Sequence, residues 1–266
     1  MIRAWLLAAE NSSGFHAPSV AEFFPPAALF EGTVFRMTRI NLIGVLMTLV
    51  LIVFFVLAFR RPQFVPRGIQ NAGEVAINFV RINIVDEVMG AKGAPYVGYL
   101  TTLFFMVLAF NVTGFVPGLQ IAGTSVIAIP LLLALVSWLV FNVSGIRHHG
   151  VGHYFKNNLF PAGVPKPIYL LVTPIEFVST FLLRPMTLTV RLLANMMSGH
   201  LLLVLFFSAT SYLLFDAEGV LKIFGVAAYA MGFAFTLFEV LVAFLQAYIF
   251  TLLTAVYIDG ALAESH

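Results

Sequence analysis

Seven polar side chains stand out because they lie in the most apolar half of this 266-residue chain: Glu176, Arg184, Arg191, Asn195, His200, Glu239 and Gln246. Ionisable groups inside apolar segments are costly, face protein or water-filled cavities, and mark ion pathways. A guanidinium keeps its proton at any biological pH, so Arg191 is a fixed cation that attracts a carboxylate but cannot relay a proton. His200 and Glu239 are of the opposite kind, since an imidazole and a carboxylate can both take up and release protons. Their spacing has geometric consequences. At 100° per residue, Asn195 falls near Arg191 on a helix, whereas His200, nine residues on, points about 180° away. Glu239 and Gln246 share a face about 10.5 Å apart along the axis. Gln246 is then expected to reach Arg191, and Glu239 to share a depth with His200 nearer the outer side. Asp259 closes the same segment on the inner side. The chemistry offered is proton relay beside a fixed positive charge.

The elements that must hold these groups follow from composition. The chain is 61% hydrophobic and 10% charged, with no Cys and a net charge of +2, and its mean hydropathy is +0.99. Soluble domains carry roughly 25% charged residues, so lipid is the solvent here and a soluble enzyme is excluded. The charge is too small for a nucleic-acid binder. Without Cys there is no disulfide framework or thiolate metal site.

A membrane-crossing helix needs about 20 apolar residues. The pattern predicts an all-α, multi-pass membrane protein with about five membrane helices. Residues 41–59, 96–116 and 121–143 are charge-free spans, with Pro130 expected to kink the third. Residues 68–90 alternate apolar and charged faces, with Ile69, Ala76, Ile77, Val80, Ile84 and Val88 on one side, and read as an amphipathic surface helix. Residues 168–215 and 221–258 are too long for a perpendicular crossing, 223–258 alone extending about 54 Å, and predict a long tilted hairpin. A break near Gly225 or Gly232 is the other way to fit that length. These glycines, with Ala228, are otherwise expected to allow close helix packing. Residues 1–40 read as an external tail. Arg60, Arg61 and Arg67 follow the first span, and Arg147, His148, His149, His153, Lys156 and Lys166 the third. Both clusters mark the cytoplasmic side, placing the N-terminus outside and the C-terminus inside. The histidines are expected in a solvated loop, not at a metal.

The run Arg191-Leu192-Leu193-Ala194-Asn195-Met196-Met197-Ser198-Gly199-His200 resembles the signature of subunit a of F-type ATP synthases. Similar matches cover Asn111 to Gly118, Pro174 to Ser179, Arg184-Pro185, and Glu239 with Gln246. The resemblance implies a bacterial-like stator subunit of the Fo proton channel, not catalytic by itself, with no cofactor and no metal. Its implied partners are the c-ring, subunit b and other ATP synthase subunits, the lipid bilayer and protons, in a plasma membrane. It further implies that Arg191 faces the ring carboxylates, that His200, Glu239 and Asn195 serve the inlet, that Gln246 belongs to the proton path, and that Glu176 lies in the outlet half-channel. In many bacterial relatives an acid stands at the position of His200 and a His at that of Glu239; here the pair looks exchanged.

Each residue has a plainer alternative. Arg191 can pair internally with Glu176 or Glu239, and His200 can be a packing histidine. Glu239 can bridge helices and Glu176 can be an interfacial carboxylate. Arg184, which with Asp259 is the weaker candidate, reads first as a lipid-headgroup contact. Among functions, a proton-coupled secondary transporter is the main alternative, but its inverted repeats are not visible. A passive scaffold would need none of the embedded ionisable groups.

Overall fold

The computed structural model describes residues 27–29, 37–116, 123–159, 168–216 and 218–263. Most of the expected external tail, the loop at 117–120 and Lys166 lie outside them. The described part is helical apart from a short antiparallel ribbon, Ala27–Leu29 against Met37–Thr38. Among the described residues, five helical stretches are long and apolar enough to cross a membrane: Arg39–Phe59, Gly90–Val112, Ala128–His149, Tyr169–Phe215 and Leu221–Leu262.

Helix α1, Arg39–Phe59, starts where Thr38 accepts a hydrogen bond from the Asn41 amide at 3.4 Å and ends at the arginines. Helix α2, Ile69–Val80, continues through a π-helical turn, Arg81–Asp86. Its inner face differs from the expected one. Gln70 and Gly73 are buried while Ile69 is exposed. Gly73 lets α1 approach, since a Cβ there would lie 2.8 Å from that of Ala58. The wide turn shifts the register, so both Ile84 and Val85 enter the core while Arg81 and Asp86 pair outside at 3.6 Å. The segment is thus amphipathic, but its apolar face meets protein.

After a 3₁₀ segment, Gly90–Tyr96, helix α3 spans Val97–Val112, and a second short 3₁₀ turn covers Gly123–Ser125. Helix α4, Ala128–His149, begins later and ends later than the third predicted span. Pro130 therefore falls in its first turn, where a missing N–H costs no helical bond, and no kink is needed. His148 and His149 occupy the last turn of α4, not a loop, where basic groups complement the helix dipole. Gly150, at φ +79°, closes the helix by donating to the Ile146 carbonyl at 2.8 Å. Helix α5, Val151–Leu159, which carries His153 and Lys156, folds back so that Tyr154 is buried and donates to Asn142 Oδ1 at 3.0 Å. Gly145 makes the room, because any Cβ there would overlap the Tyr154 ring.

The fourth membrane stretch comprises α6, Tyr169–Phe177, a π-helical turn, Val178–Leu183, and α7, Arg184–Ser211. The π turn immediately precedes Pro185, which cannot donate to the preceding turn and is accommodated by widening the helix. A second π turn, Tyr212–Asp216, leads to Gly219, at φ +66°, and then α8, Leu221–Leu262. Helix α8 is unbroken at Gly225 and Gly232. A Cβ at Gly225 would come within 2.8 Å of Leu214 and one at Gly232 within 3.3 Å of Phe206, so these glycines bring α8 onto the second π turn and α7. At 42 residues, α8 is about 63 Å long and must slant through or emerge from a bilayer. It packs against α3, α4 and α7, around a core that includes Phe104, Phe141, Leu188, Leu192 and Phe250. Helix α1 lies outside this core, against α2 and α3.

Candidate functional site

Helices α7 and α8 run antiparallel and meet at two polar levels. At the first, the Asn195 amide donates from Nδ2 to Gln246 Oε1 at 2.8 Å. Gln246 is only 2% exposed, and its own Nε2 has no hydrogen-bond partner among the described residues. At the second, one turn further along α7 and two turns back along α8, Glu239 is 7% exposed and its carboxylate lies against Gly199. A Cβ at residue 199 would occupy the space of the carboxylate itself. Gly199 was not singled out by its chemistry. The available signal was its position: an interior helical glycine costs about 1 kcal/mol against alanine and calls for a packing reason.

His200 follows Gly199 and is half-buried. It lines a cleft of ≈ 450 Å³ together with Gly114, Ser208 and Thr236. Thr236 stands one turn before Glu239 on α8, so the cleft wall and the carboxylate are neighbours along that helix. A buried polar knot adjoins the Gly114 side of the cleft in sequence. Asn111 on α3 accepts at 2.7 Å from the Thr124 hydroxyl and donates at 3.5 Å to the Ala243 carbonyl of α8. Thr113 accepts from the Gly123 amide at 3.3 Å and donates to the Phe110 carbonyl at 2.7 Å. These bonds tie α3 and the 123–125 turn to α8 beside the Glu239 level.

Arg191 is one turn before Asn195 but its side chain is exposed. It forms no hydrogen bond or ion pair with any described residue. The expected contact with Gln246 is taken by Asn195, which lies deeper between the helices. The internal salt bridges to Glu176 and Glu239 are also absent among the described residues. Arg191, Ala194 and Ser198 form an exposed stripe on α7, opposite the buried Leu188, Leu192 and Met196. The stripe is narrow in side-chain bulk and carries one cation.

Two weaker candidates separate from this cluster. The Arg184 guanidinium sits 5.7 Å from the Phe141 ring centroid and 5.1 Å from that of Tyr257. It is held between aromatic rings of α4 and α8, a cation–π arrangement in place of the expected headgroup contact. Asp259 is thirteen residues beyond Gln246, about 20 Å along α8. Glu176 is half-buried on α6, on the far side of the π turn from Arg191. His148 and His149 stack edge to face at 4.7 Å between ring centroids, and His149 Nε2 is buried without a hydrogen-bond partner among the described residues.

Residues 41–259 match the family described as ATP synthase A chain. Three relatives carry the name ATP synthase subunit a. The protein of Rhodococcus erythropolis is 51% identical over 254 residues, covering 95% of this chain and 92% of its own length. That of a Parafrankia species is 43% identical over 264 residues, covering 97% and 88%. That of Streptomyces lividans is 37% identical over 261 residues, covering 96% and 91%.

Proposed function

The chain belongs to the ATP synthase A chain family, as a membrane-embedded proton-translocating subunit that is not itself catalytic, and from that premise we propose how its side chains carry the proton. The observation that carries the reading is the exposed Arg191, without an ion pair or hydrogen bond among the described residues, placed one turn from the Asn195–Gln246 bond on the face of α7 turned away from the core.

A cation left without an internal partner in an apolar segment needs one from outside the chain. The partner in this reading is a carboxylate on each subunit of a c-ring that passes along the Arg191 stripe. The field of Arg191 favours the ionised carboxylate and discourages direct proton leakage between the two access routes. Small neighbours, Ala194 and Ser198, leave the ring room to slide.

Protons enter from outside by the cleft that His200 lines, pass Glu239, and reach the ring near Asn195 and Gln246. Gln246 Nε2, buried without a partner among the described residues, is a donor available to a water or a ring carboxylate there. A ring carboxylate neutralised at this point can turn through lipid. After nearly a full rotation it loses its proton on the other side of Arg191, by an outlet near Glu176. The separation of Glu176 from the inlet by Pro185 and the π turn supports two offset half-channels instead of one continuous pore. Each charge crossing 100 mV releases about 2.3 kcal/mol, so several protons act together for each ATP made by partner subunits.

The arginine clusters Arg60, Arg61, Arg67 and Arg147 support an N-terminus outside and a C-terminus in the cytoplasm of a bacterial plasma membrane. In this orientation α8 descends from the outer turn, with Asp259 near the inner end. Subunit b is the further stator partner.

The test compares coupled proton pumping and passive proton leak in vesicles bearing the assembled complex, with and without Arg191→Ala. Lost pumping with intact assembly is expected. Unchanged pumping would remove Arg191 from the mechanism.

A further inference from the structure

We propose that the loop joining α1 to α2 is a binding site for one anionic phospholipid, its phosphate held by Arg60, Arg61 and Arg67. A cavity of ≈ 540 Å³ opens at the end of α1, lined by these arginines with Gln63 and by the apolar side chains of Leu57 and Ile69. None of the three guanidinium groups forms an ion pair or hydrogen bond with another described residue. Three cations sharing one cavity repel one another, and an anion between them removes that cost. The guanidinium fork matches phosphate oxygens in geometry as well as charge.

The cavity is held by its own frame. Gln70, 8% exposed, accepts from the Gln63 amide at 3.0 Å and donates to the Gln63 carbonyl at 2.9 Å. These bonds pin the loop to the first turn of α2. The nearest acid on that helix, Glu74, is engaged at 2.8 Å by the same Gln70 side chain. Gly68, at φ +58°, makes the turn into α2 that carries Arg67 back toward Arg60 and Arg61.

Depth and apolar surface favour a lipid over a free anion. The 21 residues of α1 rise about 31 Å, enough to cross the hydrocarbon, so Arg60 follows at the headgroup level. Leu57 and Ile69, 48% and 49% exposed, give the cavity an apolar wall that a free phosphate cannot use. The lipid-facing flank of α1 continues this wall. Between Arg61 and Arg67 stand Phe64 and Val65, the former fully exposed and the latter 66% exposed. An aromatic group among arginines beside a membrane helix is the pattern of an interfacial anchor. The lipid class is set by the phosphate and by the absence of any carboxylate lining the cavity to receive a cationic headgroup. Phosphatidylglycerol fits this description better than phosphatidylcholine.

The test uses the assembled complex in phosphatidylcholine nanodiscs doped with a headgroup-photoactivatable phosphatidylglycerol, or with the matching phosphatidylcholine probe. After illumination, labelling of the peptide spanning residues 57–70 is read by mass spectrometry. The phosphatidylglycerol probe is expected to label it roughly tenfold more than the phosphatidylcholine probe, a ratio in keeping with a few basic side chains at a membrane surface. Arg60→Gln/Arg61→Gln/Arg67→Gln should abolish the difference, while three Lys substitutions should retain most of it and Arg147→Gln should leave it intact. Millimolar inorganic phosphate should not compete. Equal labelling by the two probes would overturn the proposal, and so would competition by phosphate, which would identify a free-anion site. Absence of label on 57–70 in the unaltered complex would overturn it as well, because a protein partner would then cover the loop. The comparison of probes on the unaltered complex decides the matter even if the Gln variant fails to assemble.

Discussion

The Glu239 carboxylate on α8 rests where a side chain at position 199 of α7 would have to be. The glycine is therefore the seat of the acid, and the two helices are registered by that fit. Gly199→Ala forces either the carboxylate or the whole of α8 to move. Such overpacking costs about 1–3 kcal/mol. Proton pumping in vesicles is expected to fall at least tenfold with the complex still assembled. The paired variant Gly199→Ala/Glu239→Asp, in which the acid is one carbon shorter, should recover part of it. Additive losses in the double variant would mean that the close approach has no bearing on proton flow.

The Asn195–Gln246 bond makes a different prediction. Asn195→Leu leaves the buried Gln246 amide with neither its oxygen nor its nitrogen bound to protein. A single interhelical hydrogen bond in a membrane protein contributes on the order of 1 kcal/mol, and an orphaned buried amide costs more. Thermal unfolding of the detergent-solubilised complex should start earlier for Asn195→Leu than for Asn195→Leu/Gln246→Leu, although the latter removes two polar groups. If the double variant is the less stable, the pair contributes through something other than mutual satisfaction.

The spans and the polar groups of this chain were legible because apolar run length and the cost of an embedded charge act locally. Arg191, Asn195, His200, Glu239 and Gln246 could be named from type and spacing, and the resemblance of their motif to a known family supplied the roles proposed. Helical phase brought Asn195 beside Arg191 and set His200 on another face. It could not decide which of Arg191 and Asn195 would reach Gln246, because that depends on how deeply α7 sinks against α8. The π turns at 81–86 and 178–183 change phase by part of a turn and leave no mark in hydrophobic period. The inner face of α2 was misassigned at Ile69, which is exposed, because the helix approaches α1 through Gly73, a contact that hydrophobic period does not show. The late start of α4, which moves Pro130 into the first turn and the histidines into the last, is set by the Asn111–Thr124 knot and by Gly150. Both are tertiary or backbone features. Gly199 and Gly145 were invisible for a related reason, since a glycine tells nothing of what will occupy the space beside it.

Arg184 and Arg191 are seven residues apart and ought to fail differently. Arg184 is placed between Phe141 and Tyr257, so its charge is used to hold α4, α7 and α8 together. Arg184→Met preserves length and loses the cation–π contribution, about 0.5–2 kcal/mol depending on desolvation. The expected result is a lowered unfolding temperature with pumping retained in complexes that remain assembled. Loss of pumping at unchanged thermal stability would instead move Arg184 into the proton path.

The return of α5 onto α4 turns on one missing methyl group. At Gly145 any Cβ overlaps the Tyr154 ring, and the Ala261 carbonyl of α8 lies 3.1 Å from the same point. The ring has little freedom to yield, because its hydroxyl is bonded to Asn142 at 3.0 Å and Tyr154 is 2% exposed. Gly145→Ala should therefore displace α5, at a cost of about 1–3 kcal/mol. The carbonyl of Ala261 cannot rotate out of the way without disturbing the last turn of α8. Limited proteolysis of membrane vesicles offers the readout, with faster cleavage expected within 150–159 in the variant. Tyr154→Leu, which removes the hydroxyl bond and thins the ring, should relieve the Gly145→Ala defect in part. If Gly145→Ala alone leaves cleavage unchanged, then Tyr154 is not what seals α5 against α4.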